Sequence, residues 1–404
     1  MDDNDHRRLG ESLDLFHFED QVPGVAFWHP RGSAMLAALR SWLRAGLLGA
    51  GWTEIETPQL MPLEVWKQSG HLDFYGKGMF AVEAASGEED PARFALKPMN
   101  CPGAAAVYRH GSRSWRDLPL RLAEFGRCHR KEPSGAMHGL LRLRAFEQDD
   151  GHAFCAPDQV AGEIAAFCSM VDRAYRGLGF DGFEVAMSLR PALRAGSDAD
   201  WDRSEALLED AARQAGLQPR PVPGEGAFYG PKLEFSLRDR AGRSWQCGTI
   251  QLDVILPARM GLHYVDLDGQ HRVPVLLHRA ALGSLERMLG ILLEHHGAVL
   301  PPWLAPEQVA IFPVGEKHAE RASQVAAELR SSGVRVRFRP SEQGHTPRLG
   351  SRIKPALLLA VPGIVVIGDK ELESGLVTLE MGGDKQALTV GEVANLQAWR
   401  APPL

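Results

Sequence analysis

The segment with the most potential chemistry is Arg127-Cys128-His129-Arg130-Lys131-Glu132-Pro133-Ser134-Gly135, followed by Leu140-Leu141-Arg142-Leu143-Arg144-Ala145-Phe146. It reads as two antiparallel strands joined by a long basic loop. Arg130 and Arg142, on facing strands, could meet one polyanion, because the planar guanidinium fork binds phosphate oxygens bidentately. A solvated surface hairpin is the plain alternative, but strands this apolar place the arginines along a cleft. Thiols and imidazoles are the other candidates. Cys101, His152 and His278 are 51 and 126 residues apart, and spacing alone does not join them into a site. The five cysteines, Cys101, Cys128, Cys155, Cys168 and Cys247, are too few and scattered for a disulfide framework in 404 residues. They read as reduced thiols of a cytoplasmic protein.

Such side chains need a scaffold. Met35, Leu36, Leu39, Trp42, Leu43 and Leu47 recur at helical spacing over 33–48. Trp52–Pro58 follows as a strand ended by proline. Phe94-Ala95-Leu96, Leu118–Phe125, Leu140–Gln148, Lys232–Leu237, Ser244–Leu256 and Val273–Leu277 read as further strands, and Arg279–His296 as a long amphipathic helix. Strands outnumber helices, which favours an α+β fold with an antiparallel sheet flanked by helices. Pro301-Pro302-Trp303-Leu304-Ala305-Pro306 reads as a linker, since its prolines forbid helix and ladder pairing. Beyond it, Val309–Pro313, Val334–Phe338, Ile364–Ile367 and Val377–Glu380 read as strands, with helices at Ala319–Arg330 and Thr389–Trp399. That pattern predicts a small α/β domain with a largely parallel sheet. The expected organisation is a loose acidic arm at 1–22, a large domain at 23–300, a linker at 301–306 and a small domain at 307–404.

Composition excludes several classes. With 44% hydrophobic and 24% charged residues, the chain is neither disordered nor fibrous. The net charge of −6 means that any nucleic-acid contact is a local basic patch on an acidic body. No run of about 18 apolar residues predicts a membrane helix, and the first residues lack the order of a secretory signal.

Arg130-Lys131-Glu132-Pro133-Ser134-Gly135 resembles motif 2 of class II aminoacyl-tRNA synthetases, and other stretches narrow the likeness to the threonyl-tRNA synthetases. These are Phe27-Trp28-His29-Pro30, Trp66–His71, Lys97–Gly103, Leu118–Gly126, Gln148–His152, Phe228–Lys232, Gly248–Asp253 and His278–Arg287. They are collinear over about 23–300. The resemblance implies a class II catalytic domain that activates L-threonine with ATP and transfers it to tRNA(Thr), followed by an anticodon-binding-like domain. It implies one zinc held by Cys101, His152 and His278, with a free position as in catalytic rather than structural sites. Zinc binding of both amino and hydroxyl groups would reject valine, which an apolar pocket separates from threonine by only about 1–3 kcal/mol. Asp150 would accept the substrate hydroxyl, with Met99, Tyr229, Gln251 and Ser284 completing the amino-acid pocket. Arg130 would bridge carboxylate and α-phosphate, Glu132 read adenine, Arg142 hold the γ-phosphate and Arg287 stack on adenine. Gln246 and Lys232 would face the nucleotide or the acceptor end. The resemblance assigns His71 to acyl transfer, where an imidazole suits proton handling. Arg130, His71, Arg287 and Lys232 thus form the expected catalytic set. Mg2+ should accompany ATP, and a homodimer should form through Trp52–Pro58. Neither DNA nor a membrane is an expected partner.

There are departures from the pattern. The chain begins near the catalytic domain, so the expectation is serine attachment without clearance of the error. Ala104 stands where the family usually has histidine. Glu380-Met381-Gly382-Gly383 replaces an arginine-rich run, and Ser341–Leu349 lacks the usual Arg-Asn pair. The final domain carries 12 Lys+Arg against 11 Asp+Glu. Arg335, Arg337 and Arg339 could form a basic stripe along one strand, and a solvated edge explains them equally well. Two other functions therefore stay open: a paralogue passing activated threonine to a carrier protein or serving regulation or resistance, and a silent RNA-binding module.

Overall fold

The computed structural model describes residues 4–83, 93–339 and 348–404. The stretch Ser341–Leu349 singled out above lies mostly outside these residues. Two compact units form: Phe18–Val25, Leu43–Ile291 and Pro403–Leu404 in one, and Met1–His17, Ala26–Trp42 and Leu292–Pro402 in the other.

The larger unit is built on one eight-stranded sheet. Its strands are β1 (Thr53–Glu54), β2 (Leu120–His129), β3 (Ala145–Cys155), β4 (Glu184–Ser188), β5 (Arg220–Val222), β6 (Lys232–Arg238), β7 (Ser244–Asp253) and β8 (Val275–Ser284). Their order is β5-β4-β6-β7-β8-β3-β2-β1. All neighbours are antiparallel except the outermost pairs, β5 with β4 and β1 with β2. One face is closed by the helix Val160–Gly177, whose Val160, Ile164, Phe167, Val171, Ala174 and Tyr175 recur at helical spacing and are all buried. Phe167 meets the Phe235 ring edge-on and Tyr175 donates to the Ala281 carbonyl at 2.9 Å. Because side chains alternate along a strand, the neighbours of these residues face the opposite side, where the candidate site lies.

The expected helix Arg279–His296 begins only at Leu285. Arg279–Ser284 instead completes β8, a central strand where Ala280, Ala281 and Leu282 are buried on both sides. Such a short apolar run carries no period that separates strand from helix. The strand ends in a bulge between Ala280 and Ser284, with Gly283 at φ +77. Asp149 caps the bulge by accepting from the backbone N–H groups of Ala281, Leu282 and Gly283 at 2.9–3.1 Å. Burial lifts its carboxyl to about 6, against the pull of Arg279. Other boundaries move as well. Leu140–Arg144 is irregular, with β3 starting at Ala145, and only Thr53–Glu54 of Trp52–Pro58 pairs as a strand.

In the second unit the order is β10-β9-β11-β12-β13, from β9 (Val309–Pro313), β10 (Val336–Arg337), β11 (Gly363–Ile367), β12 (Val377–Met381) and β13 (Asp384–Leu388). The first three strands are parallel as expected. The last two form an antiparallel hairpin, so the sheet is mixed. Its turn is Gly382-Gly383, both at positive φ, a pair suited to a two-residue hairpin. The core joins Val309, Ile311, Val325, Leu329, Val365, Ile367, Leu379 and Trp399. Residues 301–306 do not act as an extended linker, because Trp303, Leu304 and Ala305 are buried within this unit. The N-terminal arm is likewise not loose: His6–Ser12 is helical, and Leu9, Leu13, Leu15 and Phe16 are buried. No described helix is long and apolar enough to cross a membrane.

Candidate active site

Strand register assembles the site. Lys232 of β6 lies opposite Gln251 of β7, Gln251 opposite His278 of β8, and His278 opposite His152 of β3. Directly paired residues share a face, so these four form one row across the sheet. Two positions along, Glu234, Thr249, Ala280 and Asp150 form a parallel row. Cys101 is supplied from outside the sheet, at the first position of the helix Cys101–Arg109.

Cys101, His152 and His278 come together, each offering a ligand atom within 4.8 Å of the others. All three are buried. His278 stacks on Tyr229 at 4.7 Å, and its Nε2 lies 3.0 Å from Asp253 Oδ2. Burial holds His152 far below the ordinary imidazole range, so its ring is neutral. His152 Nδ1 is buried with no hydrogen-bond partner among the described residues. Burial also pushes the Cys101 thiol up, and the Asp150 and Asp253 charges push in the same direction. A neutral ring with an unused buried nitrogen, beside a thiol whose anion needs a counter-charge, is a donor set that fits a cation such as zinc.

Asp150 stands beside this cluster. Its Oδ1 accepts from Gly151 N and its Oδ2 from Asn100 Nδ2, both at 3.0 Å. Burial raises its carboxyl, and the Asn100 bond opposes that rise. Asn100 is fixed by lack of room: a Cβ on Gly126 would lie 2.2 Å from its Oδ1. Beneath, Lys97 Nζ is 2.7 Å from Glu124 Oε1 and 3.0 Å from Thr57 Oγ1, with both charged side chains almost fully buried.

Two adjoining cavities open on this face. The first, about 400 Å³, is lined by Met99, Cys101, Asp150, His152, Tyr229 and His278, among others. The second, about 540 Å³, is lined by Glu132, Arg142, Gln246, Ser284 and Arg287, among others. Arg130, Gln148, Lys232, Thr249, Gln251 and Ala280 border both. Arg130 therefore sits at the junction, its Nε donating to the Pro98 carbonyl at 3.2 Å and its guanidinium 5.0 Å above the Phe146 ring.

All the expected site residues border one or both cavities except His71. His71 is fully buried, with Nε2 3.3 Å from Cys101 Sγ and Nδ1 2.9 Å from Ser69 Oγ. Burial drives its pKa down to about 3. Ser284, expected with the amino-acid pocket, lines the second cavity and accepts from Arg287 N at 3.1 Å. Glu132 and Arg142 pair with each other at 2.8 Å. Lys232 and Gln246 both reach Glu234 Oε1, at 2.5 and 2.8 Å. Arg287 donates to the Leu141 carbonyl at 2.8 Å and lies 5.8 Å from the Trp245 ring. Ala104 is buried one turn along the helix from Cys101.

The sequence reading missed Asn100, Gln148, Asp253 and Thr249. Strand alternation could have found Gln148 and Thr249, which lie two residues from Asp150 and Gln251. Arg335, Arg337 and Arg339 form neither the basic stripe nor the fully solvated edge held open above. Arg335 donates to the Trp303 and Ala305 carbonyls, and Arg337 pairs with Glu307, so only Arg339 points outward.

Comparison with known proteins identifies the family and both domains. Residues 80–296 match the tRNA synthetase class II core domain (G, H, P, S and T), and residues 308–396 match the anticodon binding domain. A threonine--tRNA ligase of Ralstonia nicotianae is 48% identical over 380 residues, covering 94% of this chain and 58% of the relative. One from Nitrosomonas europaea is 45% identical over 388 residues, covering 96% and 60%. The chain thus spans somewhat over half the length of these relatives. A solved structure of the RNA binding domain of threonyl-tRNA synthetase from Cryptosporidium parvum superposes with a TM-score of 0.91 at 38% identity, covering 96% of each chain. With the core match spanning more than half of the sequence and the site assembled on that core, the chain belongs to the threonyl-tRNA synthetases of class II.

Proposed function

We propose that this chain activates L-threonine with ATP and transfers it to tRNA(Thr). The observation that carries this reading is the convergence of Cys101, His152 and His278 at a cavity that adjoins a second one through Arg130. The first cavity takes the amino acid and the second takes ATP, which comes with Mg2+ as class II threonyl enzymes require. A zinc ion held by the three donors would ligate both the amino group and the hydroxyl of threonine, which valine cannot match.

The chain's own residues do the rest. Asp150, with one lone-pair direction on each oxygen already taken, accepts the hydroxyl proton of the substrate. Met99, Tyr229 and Gln251 shape the pocket, and the Tyr229 hydroxyl is fixed by Gln251 Oε1 at 2.6 Å. Arg130 faces both the carboxylate and the α-phosphate, holding nucleophile and electrophile in line while placing positive charge where negative charge develops. Glu132, Arg142, Gln246, Ser284 and Arg287 line the ATP side, and Lys232 stands at the border. Binding of ATP requires Arg142 to leave Glu132. That costs little, because the Arg142 side chain is more than half exposed. His71 acts in the transfer step by turning its Nε2 from the sulfur. Residues 23–300 carry this chemistry and 307–404 contact tRNA, in keeping with the anticodon-binding match. The protein works as a cytoplasmic homodimer through the β1 edge, where Leu48 is 54% exposed beside Trp52 and Phe125.

The test is ATP–pyrophosphate exchange with threonine, serine or valine. Threonine should support exchange, serine should do so more weakly and valine should not. Equal rates with threonine and valine would refute the metal-based selection, and no exchange with threonine would refute the function.

A further inference from the structure

We propose that Asp253 is a positioning residue that selects the tautomer of His278 and so aims the lone pair of His278 Nδ1 at Cys101 and His152. This rests on the zinc reading given above. The Asp253 side chain is fully buried and held from two sides. Oδ1 accepts from the backbone N–H groups of Ile255 at 2.8 Å and Leu256 at 2.9 Å, while Oδ2 lies 3.0 Å from His278 Nε2. A carboxylate only accepts, so His278 Nε2 must carry the proton and donate it. In a neutral imidazole the other nitrogen then has no proton and offers a lone pair. His278 is also clamped by its stack on Tyr229 and by its place in the centre of β8, so the ring has few ways to turn. An oriented imidazole is the better metal ligand, and loss of such a partner typically weakens metal affinity 10–100-fold.

The plainer role for Asp253 is to cap the two N–H groups that open the turn at Ile255. Asp253→Asn separates the two roles. The amide oxygen can keep accepting from Ile255 and Leu256, while its NH2 donates to His278 Nε2. That reversal moves the imidazole proton to Nδ1 and blocks the lone pair. Two readouts follow. In metal-free protein labelled with 15N-histidine, long-range proton–nitrogen spectra should show His278 as the Nε2–H form in the wild type and the Nδ1–H form in D253N. In chelator competition with zinc alone, D253N should bind zinc 10–100-fold more weakly, with metal-free thermal stability close to that of the wild type. A wild-type His278 in the Nδ1–H form overturns the proposal even if D253N does not fold. Equal zinc affinity of both proteins overturns it while leaving the site reading intact. A wild type that takes up no zinc overturns that reading and the proposal together.

Discussion

Glu286 offers a quantitative test of how the site is held. Its carboxyl is buried, accepts from Glu147 N at 2.9–3.0 Å, and receives the Ser284 hydroxyl at 2.9 Å. Burial lifts it from the usual 4.5 to about 7, against the pull of those hydrogen bonds. The folded protein therefore binds this proton more tightly than the unfolded chain does. Between pH 4.5 and 7 the native state holds the extra proton, so stability falls as pH rises through that window and levels off above it. From pH 5 to pH 8 the loss from this group alone is about 2.5 kcal/mol, taking 1.36 kcal/mol for each tenfold change. Glu286→Gln keeps an oxygen for Glu147 N and offers its NH2 to Ser284 Oγ, so the local bonds survive without the titration. Urea unfolding at pH 5, 6, 7 and 8 should show the wild type losing stability relative to E286Q by about 2.5 kcal/mol across the series. Asp149, also raised, contributes with the same sign at lower pH but is common to both proteins. Parallel pH curves for the two proteins would mean that Glu286 does not hold an extra proton in the folded state.

Other expectations follow from single contacts. Lys97→Met leaves Glu124 charged and buried without its partner, and should cost about 3–5 kcal/mol in denaturant unfolding, with Lys97→Met/Glu124→Leu recovering much of it. Gly126→Ala drives a Cβ into Asn100; it should cost about 1–3 kcal/mol and raise the threonine KM while leaving the ATP KM near normal. Asp150→Asn should lower kcat/KM for threonine in pyrophosphate exchange roughly 10–100-fold, since an acceptor for the hydroxyl is lost. His71→Ala should spare pyrophosphate exchange and slow transfer to tRNA. If it instead abolishes zinc retention, its contact with Cys101 is its main role.

The arginine cleft was legible in the sequence because an apolar frame around Arg130 and Arg142 made full exposure costly, and the structure places both at cavities. The metal-type cluster was not legible from spacing. Cys101, His152 and His278 meet only through strand register and one helix terminus, and the family likeness joined them first. Boundaries failed where the apolar pattern carried no period, as at Arg279–Ser284, whose central strand reads equally well as helix. The proline-rich stretch at 301–306 misled in another way. Proline does exclude regular pairing, but Trp303 and Leu304 gain more by burial than an extended linker would allow. Asn100 and Asp253 act by orienting neighbours, and such roles have no signature in residue type alone.

If one thiol and two imidazoles jointly hold a single zinc ion that reads threonine, the ligand shell of that metal must show it. X-ray absorption at the zinc edge on the purified protein tests it most directly. One zinc per chain is expected, with one sulfur at about 2.3 Å and two histidine nitrogens at about 2.0–2.1 Å, the remaining position changing when threonine is added. A protein without zinc, or a zinc shell lacking sulfur, would contradict it.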